Sequence, residues 1–131
     1  ADLVAAFSRT GKSQLSVMEV IGRDISKYGV IIPDANGEGI TGLIEKPDYF
    51  EAPSGMASIG RYILTPEIFD IIRGLATGSG GEIQLADAIN LHAQGGHVET
   101  VCLNGKRFDC GSIDGFMMAS NFEYSRRMKN K

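Results

Sequence analysis

Residues 28–47 constrain the chain more than any other segment. Two short apolar runs, residues 28–32 and 39–44, flank the stretch Pro33-Asp34-Ala35-Asn36-Gly37-Glu38. Asn-Gly is a strong reverse-turn signal because both residues tolerate positive φ, so the two runs read as a β-hairpin. The second arm ends on Glu45-Lys46-Pro47. Successive strand residues point to opposite faces, so Glu45 and Lys46 cannot both stay in a regular strand and meet one ligand. Pro47 lacks an amide hydrogen and disfavours a helical Lys46, which predicts an extended Lys46 and a strand that stops there. At such an end both side chains can converge on one small, anionic, hydroxyl-rich molecule. The tripeptide taken alone equally fits a surface ion pair at a strand terminus.

The remaining composition sets outer limits. A chain of 131 residues, 43% of them hydrophobic, suits one domain with a modest core. Thirteen basic and sixteen acidic side chains leave a net charge of −3. This argues against nucleic acid as a partner, the only basic cluster being Arg126-Arg127-Met128-Lys129-Asn130-Lys131. No apolar run reaches the roughly 20 residues of a membrane span, and no signal-peptide pattern opens the chain. Cys102 and Cys110, with His92 and His97, lack the paired spacing of a zinc site and read as structural, with free thiols.

Elsewhere helical and strand periods alternate. Residues 2–9 read as a helix stopped by Gly11, and residues 14–21 as a strand with Leu15, Val17 and Glu19 on one side. Residues 48–55 read as a loop, and 57–64 as a buried strand. Thr65-Pro66 reads as cap and first residue of a helix. A further helix starts near Glu82 and ends at Gly95-Gly96. Residues 98–103 and 107–108 are strand-like, and Ser112 caps a last helix. The class is α/β.

Several motifs invite a ligand. Gly11-Lys12-Ser13 resembles the end of a phosphate loop, but Ala6 stands where its first glycine belongs and a helix precedes it. Gly78-Ser79-Gly80-Gly81 before Glu82 reads as an anion-binding turn or as a plain connector. Asp109, beside a glycine turn and a helix start, reads as a Mg²⁺ ligand or as a turn former. Gly29 lets a ligand approach the strand backbone, or marks a bulge.

In order and spacing, the chain resembles one known family. Lys27-Tyr28-Gly29-Val30, Gly42-Leu43-Ile44-Glu45-Lys46-Pro47, Ala52-Pro53-Ser54, Gly60-Arg61-Tyr62-Ile63-Leu64, Gly80-Gly81-Glu82-Ile83-Gln84-Leu85-Ala86-Asp87-Ala88 and Gly105-Lys106-Arg107-Phe108-Asp109-Cys110-Gly111 closely resemble segments of the bacterial UTP–glucose-1-phosphate uridylyltransferases. Gly55 departs from the pattern, which has asparagine there. The family's N-terminal Gly-rich nucleotide signature and its upstream metal-binding aspartate do not occur in these residues. The chain therefore resembles the C-terminal, sugar-binding part of such an enzyme.

The resemblance implies part of a Rossmann-like, GT-A-like mixed sheet flanked by helices. It implies transfer of UMP from UTP to glucose 1-phosphate, giving UDP-glucose and pyrophosphate, with this segment inactive alone. Lys46 would offset phosphate charge as the catalytic residue. Glu45 would accept hydrogen bonds from sugar hydroxyls, and Gly29, Gly60 and Arg61 would line the same pocket. Asp109 would ligate Mg²⁺. A cytoplasmic homo-oligomer is expected. A dTTP-dependent relative, or a non-catalytic sugar-binding or oligomer-forming module, is the alternative.

Overall fold

The hairpin forms as its turn chemistry dictates. Strands β2 (Gly29–Pro33) and β3 (Ile40–Glu45) run antiparallel, with Gly29 opposite Glu45 and Ile31 opposite Leu43. Gly37 adopts φ +75°. The Asp34 carboxylate accepts from the Asn36 and Gly39 amides at 3.0 and 3.1 Å, closing the turn. This geometry comes from a computed structural model that describes residues 2–37, 39–75, 84–103, 107–108 and 110–130.

The hairpin forms one edge of a five-stranded sheet, ordered β3-β2-β4-β1-β5, with β1 at Ser13–Glu19, β4 at Met56–Ile63 and β5 at Val98–Cys102. Strand β5 runs parallel to β1, and the other pairings are antiparallel. Among the described residues there are four α-helices: α1 (Asp2–Thr10), α2 (Glu67–Gly74), α3 (Leu85–Gln94) and α4 (Ile113–Lys129). The expected mixed sheet flanked by helices is thus what forms.

The main core lies on one face, where Leu15, Val17, Ile31 and Leu43 meet Ile68 of α2 and Ala88, Ile89 and Ala93 of α3. Each buried Leu, Ile or Val side chain there contributes roughly 1.5–3 kcal/mol. Asn90 sets where α3 sits. Its Oδ1 accepts from the Leu43 amide at 2.6 Å, and a Cβ on Gly42 would lie 2.6 Å from that same oxygen. A side chain at 42 would therefore displace the Asn90 amide and cost its bond to Leu43. The opposite face carries a smaller cluster of Ile25, Val30 and Ala57.

Strand β1 corrects the one-sided reading. Ser13 to Val17 are all buried, because β4 and β5 flank the strand and both its faces are covered. Its polar side chains are consumed locally. The Ser16 hydroxyl donates to the Arg61 carbonyl at 2.8 Å and accepts from the Arg61 amide at 3.1 Å. Here the register jumps: Leu15 faces Tyr62, but Val17 faces Ser58. The extra β4 residues form a bulge in which Gly60 takes φ +87°, a conformation that costs glycine little.

Other expectations shift for similar reasons. Thr65 does not cap α2 with its side chain; Pro66 holds the cap position, and the Thr65 hydroxyl turns inward. Arg107 and Phe108 form no strand; Phe108 packs on Phe122 of α4 at 5.4 Å between ring centroids. Residues 22–27 and 49–51 form short 3-10 turns, which the sequence pattern did not suggest. The Ser112 cap holds, accepting from the Gly115 amide at 3.0 Å. The Gly78–Gly81 turn lies outside the described residues.

Thr65 turns inward to complete a buried polar knot. His92, only 4% exposed, brings Nε2 within 3.0 Å of Ser13 Oγ and 3.2 Å of Thr65 Oγ1. The knot joins β1, the β4–α2 junction and α3. Burial is the main cause that lowers the His92 pKa below its usual 6.5; the His97 ring stacked on it adds to this, and Glu67 opposes. A depressed histidine pKa favours folding above the unfolded value and loses that contribution as pH falls through the folded value. Urea midpoints should therefore drop between pH 7.5 and 5.5. His92→Gln should flatten that drop, and an unchanged pH profile in this variant would exclude the knot as its source.

Candidate functional site

The sheet assembles a row of residues from three strands. Glu45 of β3 faces Gly29 of β2, Gly29 faces Ser58 of β4, and Ser58 faces Val17 of β1. Paired residues project to the same face, and Val17 places this row on the side covered by α3. Because Gly29 carries no side chain, the row has a gap between Glu45 and Ser58. That gap opens into a cleft of about 260 Å³ whose lining includes Gly29, Glu45, Ser58, Gly60, Tyr62 and Leu85.

At Gly29 a side chain would crowd the Glu45 carboxylate. A Cβ there would lie 3.0 Å from Glu45 Oε2 and 3.4 Å from Leu43 Cδ1. Any larger residue would displace the carboxylate that leans across the cleft floor. Of the anticipated site residues, the structure thus brings Gly29, Glu45 and Gly60 into one cavity.

Arg61 is placed differently. The bulge turns it away, and its side chain lines an adjoining cleft with Met18, Ile59 and Phe108. Arg107 lines both clefts. Its Nη1 donates to the Tyr28 hydroxyl at 3.2 Å, and its guanidinium lies 4.9 Å from the Tyr28 ring centroid. Stacking of this kind holds an exposed cation in a defined place. The sequence reading did not single out Arg107, Tyr28 or Ser58 for this cleft. Only the pairing of β4 with β2 brings Ser58 here, and Arg107 stands far from Tyr28 in the chain.

Lys46 is the one described non-glycine residue with positive φ, at +47°. The extended conformation expected before proline does not form. The Lys46 amide donates to the Tyr28 carbonyl at 3.0 Å, prolonging the hairpin by one residue. Pro47 is buried, so the backbone must turn sharply between that bond and the proline. Strained backbone of this kind is commonly held at ligand sites. Lys46 is not part of the cleft lining. The ion-pair alternative does not form either: among the described residues, neither Glu45 nor Lys46 belongs to a salt bridge.

Asp109 lies outside the described residues. Among the described residues no three His, Cys, Asp or Glu side chains come together as a metal centre. Cys102 and Cys110 are free and exposed.

The cleft thus sets one carboxylate, Glu45, among two cations, Lys27 and Arg107, over a glycine floor. Residues 1–126 match the family described as nucleotidyl transferase, and the chain belongs to that family. Its relatives narrow the likeness. It is 43% identical, over 130 residues, to a UTP–glucose-1-phosphate uridylyltransferase of Pseudomonas aeruginosa, covering 97% of this chain and 47% of that protein. A Streptococcus pyogenes protein of the same name is 42% identical over 124 residues, covering 90% and 40%. Among solved structures, an apo UDP-glucose pyrophosphorylase superposes with a TM-score of 0.84 at 39% identity, covering 95% of this chain and 46% of the other. A UDP-glucose pyrophosphorylase complexed with UDP-glucose gives 0.80 at 39% identity, covering 93% and 47%. The chain spans about half the length of the curated relatives it matches.

Left-handed backbone at a non-glycine residue costs about 1 kcal/mol or more. Lys46→Gly should therefore raise the unfolding free energy by about 1 kcal/mol in denaturant titrations. A loss of stability would mean that the lysine side chain, rather than the backbone, secures this turn.

Proposed function

We propose that this chain is the sugar-binding part of a UTP–glucose-1-phosphate uridylyltransferase, which makes UDP-glucose and pyrophosphate. The observation that carries the reading is the pairing of Gly29 with Glu45. It sets a carboxylate over a side-chain-free floor, next to a lysine in strained backbone. The identity to the uridylyltransferases supports the choice of reaction.

The chemistry divides between the two charges. The phosphate of glucose 1-phosphate attacks the α-phosphorus of UTP, its oxygen forming the new P–O bond as pyrophosphate leaves. That oxygen is already ionised near neutral pH, so the step needs alignment and positive charge rather than a general base. Lys46 supplies a cation to the sugar phosphate. Glu45 cannot usefully meet a phosphate, but an ionised carboxylate accepts strong hydrogen bonds from hexose hydroxyls. Gly29 and Gly60 leave the backbone open to the sugar, and Arg61 serves the substrate from the adjoining cleft. Mg²⁺, with Asp109 as one carboxylate, completes the reading. A cytoplasmic homo-oligomer belongs to it as well. Ile113, Phe116, Met117 and Tyr124 of α4 are exposed, an apolar surface suited to association. Among the described residues no helix is long and apolar enough to cross a membrane.

The full-length protein, given UTP, glucose 1-phosphate and Mg²⁺, should release pyrophosphate and form UDP-glucose, faster than with dTTP. The 131 residues alone should not. Lys46→Ala should lower kcat/KM about 100-fold, the usual effect of removing a group that meets developing charge. A near-normal rate in that variant would reduce Lys46 to a surface residue, and preference for dTTP would move the protein to another nucleotidyltransferase activity.

A further inference from the structure

Ser58 stands apart from every other polar side chain in the described structure. Its Oγ is inaccessible to solvent, yet it has no hydrogen-bond partner, and no other described side-chain nitrogen or oxygen shares that condition. The rest of the sheet's buried hydroxyls are spoken for. Ser13 bonds His92 and the Thr65 amide, and Ser16 clamps Arg61. A buried hydroxyl without a partner is unfavourable, and an apolar residue would suit this position better if packing alone mattered. Its strand neighbours across the sheet are Gly29 and Val17, and Ala57 and Ile59 flank it in the chain.

Ser58 lines the cleft, and rotation about its Cα–Cβ bond would turn the closed-off hydroxyl into it, where a ligand can bond it. Ser58 lines the cleft with Glu45, and the two residues are separated only by Gly29. Two strand spacings put their backbones roughly 10 Å apart. One hexose ring with its hydroxyls can bridge that interval, touching the carboxylate at one end and the serine at the other. We propose that Ser58 determines specificity by hydrogen-bonding one hydroxyl of the hexose 1-phosphate at the cleft floor, opposite the hydroxyls held by Glu45. This rests on the sugar-phosphate reading of the cleft given above. It adds a discriminating contact on β4 that neither the Glu45-Lys46 pair nor the glycine floor provides. A serine can donate and accept, so it rejects an analogue lacking that hydroxyl by leaving its own group unpaired again.

The test uses the full-length protein with glucose 1-phosphate and its 2-, 3-, 4- and 6-deoxy analogues, UTP being saturating. In the wild type, one analogue should lose at least about 10-fold in kcat/KM through the missing serine contact. In Ser58→Ala, activity with glucose 1-phosphate should fall about 10-fold, and the penalty for that one analogue should shrink towards unity. The UTP KM should not move. The unfolding midpoint of Ser58→Ala should equal or exceed the wild type's, since no internal bond is lost. Identical analogue penalties in variant and wild type would overturn the proposal, as would a destabilised variant, which would make the hydroxyl a structural partner. A wild-type protein that turns over no glucose 1-phosphate would instead overturn the reading of the cleft itself.

Discussion

The pairing of Gly29 with Glu45 across the β2–β3 hairpin is the contact on which the site depends. A register slip of one residue would move Glu45 to the opposite face, away from α3 and from Ser58. The register is secured from both ends. Asp34 and Gly37 close the turn, and the Lys46 amide bonds the Tyr28 carbonyl beyond the last pair. Asn90 then clamps the middle of β3 under α3. Each of these contacts aligns the same two strands, and the glycine between carboxylate and serine becomes a cavity rather than a packing defect.

A second layer of organisation comes from buried polar groups on β1. Ser16 holds the Gly60 bulge by meeting both backbone groups of Arg61, which turns Arg61 toward the neighbouring cleft. Ser13 and His92 tie the start of β1 to the β4–α2 junction. Satisfied polar knots of this kind specify a unique arrangement, because any alternative strands a donor in a low-dielectric interior. The same logic makes Ser58 conspicuous. In a sheet whose other buried hydroxyls are all bonded, the one left over belongs to a residue that lines the cleft.

Much of this was readable from the chain. The turn at residues 33–38, the apolar arms and the Ser112 cap rest on local backbone preferences, which depend on neighbours in sequence. Gly29 and Glu45 were each read as ligand-facing, Gly29 for its missing side chain and Glu45 for its place at the strand end, but only the folded hairpin shows that they pair. Lys46 does not take the extended conformation expected of it. Burial of Pro47 together with a ladder bond at Lys46 outweighs the pre-proline preference for extended backbone. Thr65 failed as a cap for a similar reason: a buried histidine offered its hydroxyl a second use.

The sequence by itself determined the α/β class, the hairpin and the charged tripeptide at its end, because turn formers and alternating apolar residues act over a few bonds. Only the tertiary structure decided that β4 lies between β2 and β1, and so that Ser58 rather than Arg61 completes the row with Glu45. Strand order is set by how whole apolar faces pack beneath α2 and α3, a global optimum that no short window of residues encodes. The stacking of Arg107 on Tyr28 belongs to the same category. Its partners are brought together by the folded sheet, and nothing local to either residue anticipates it.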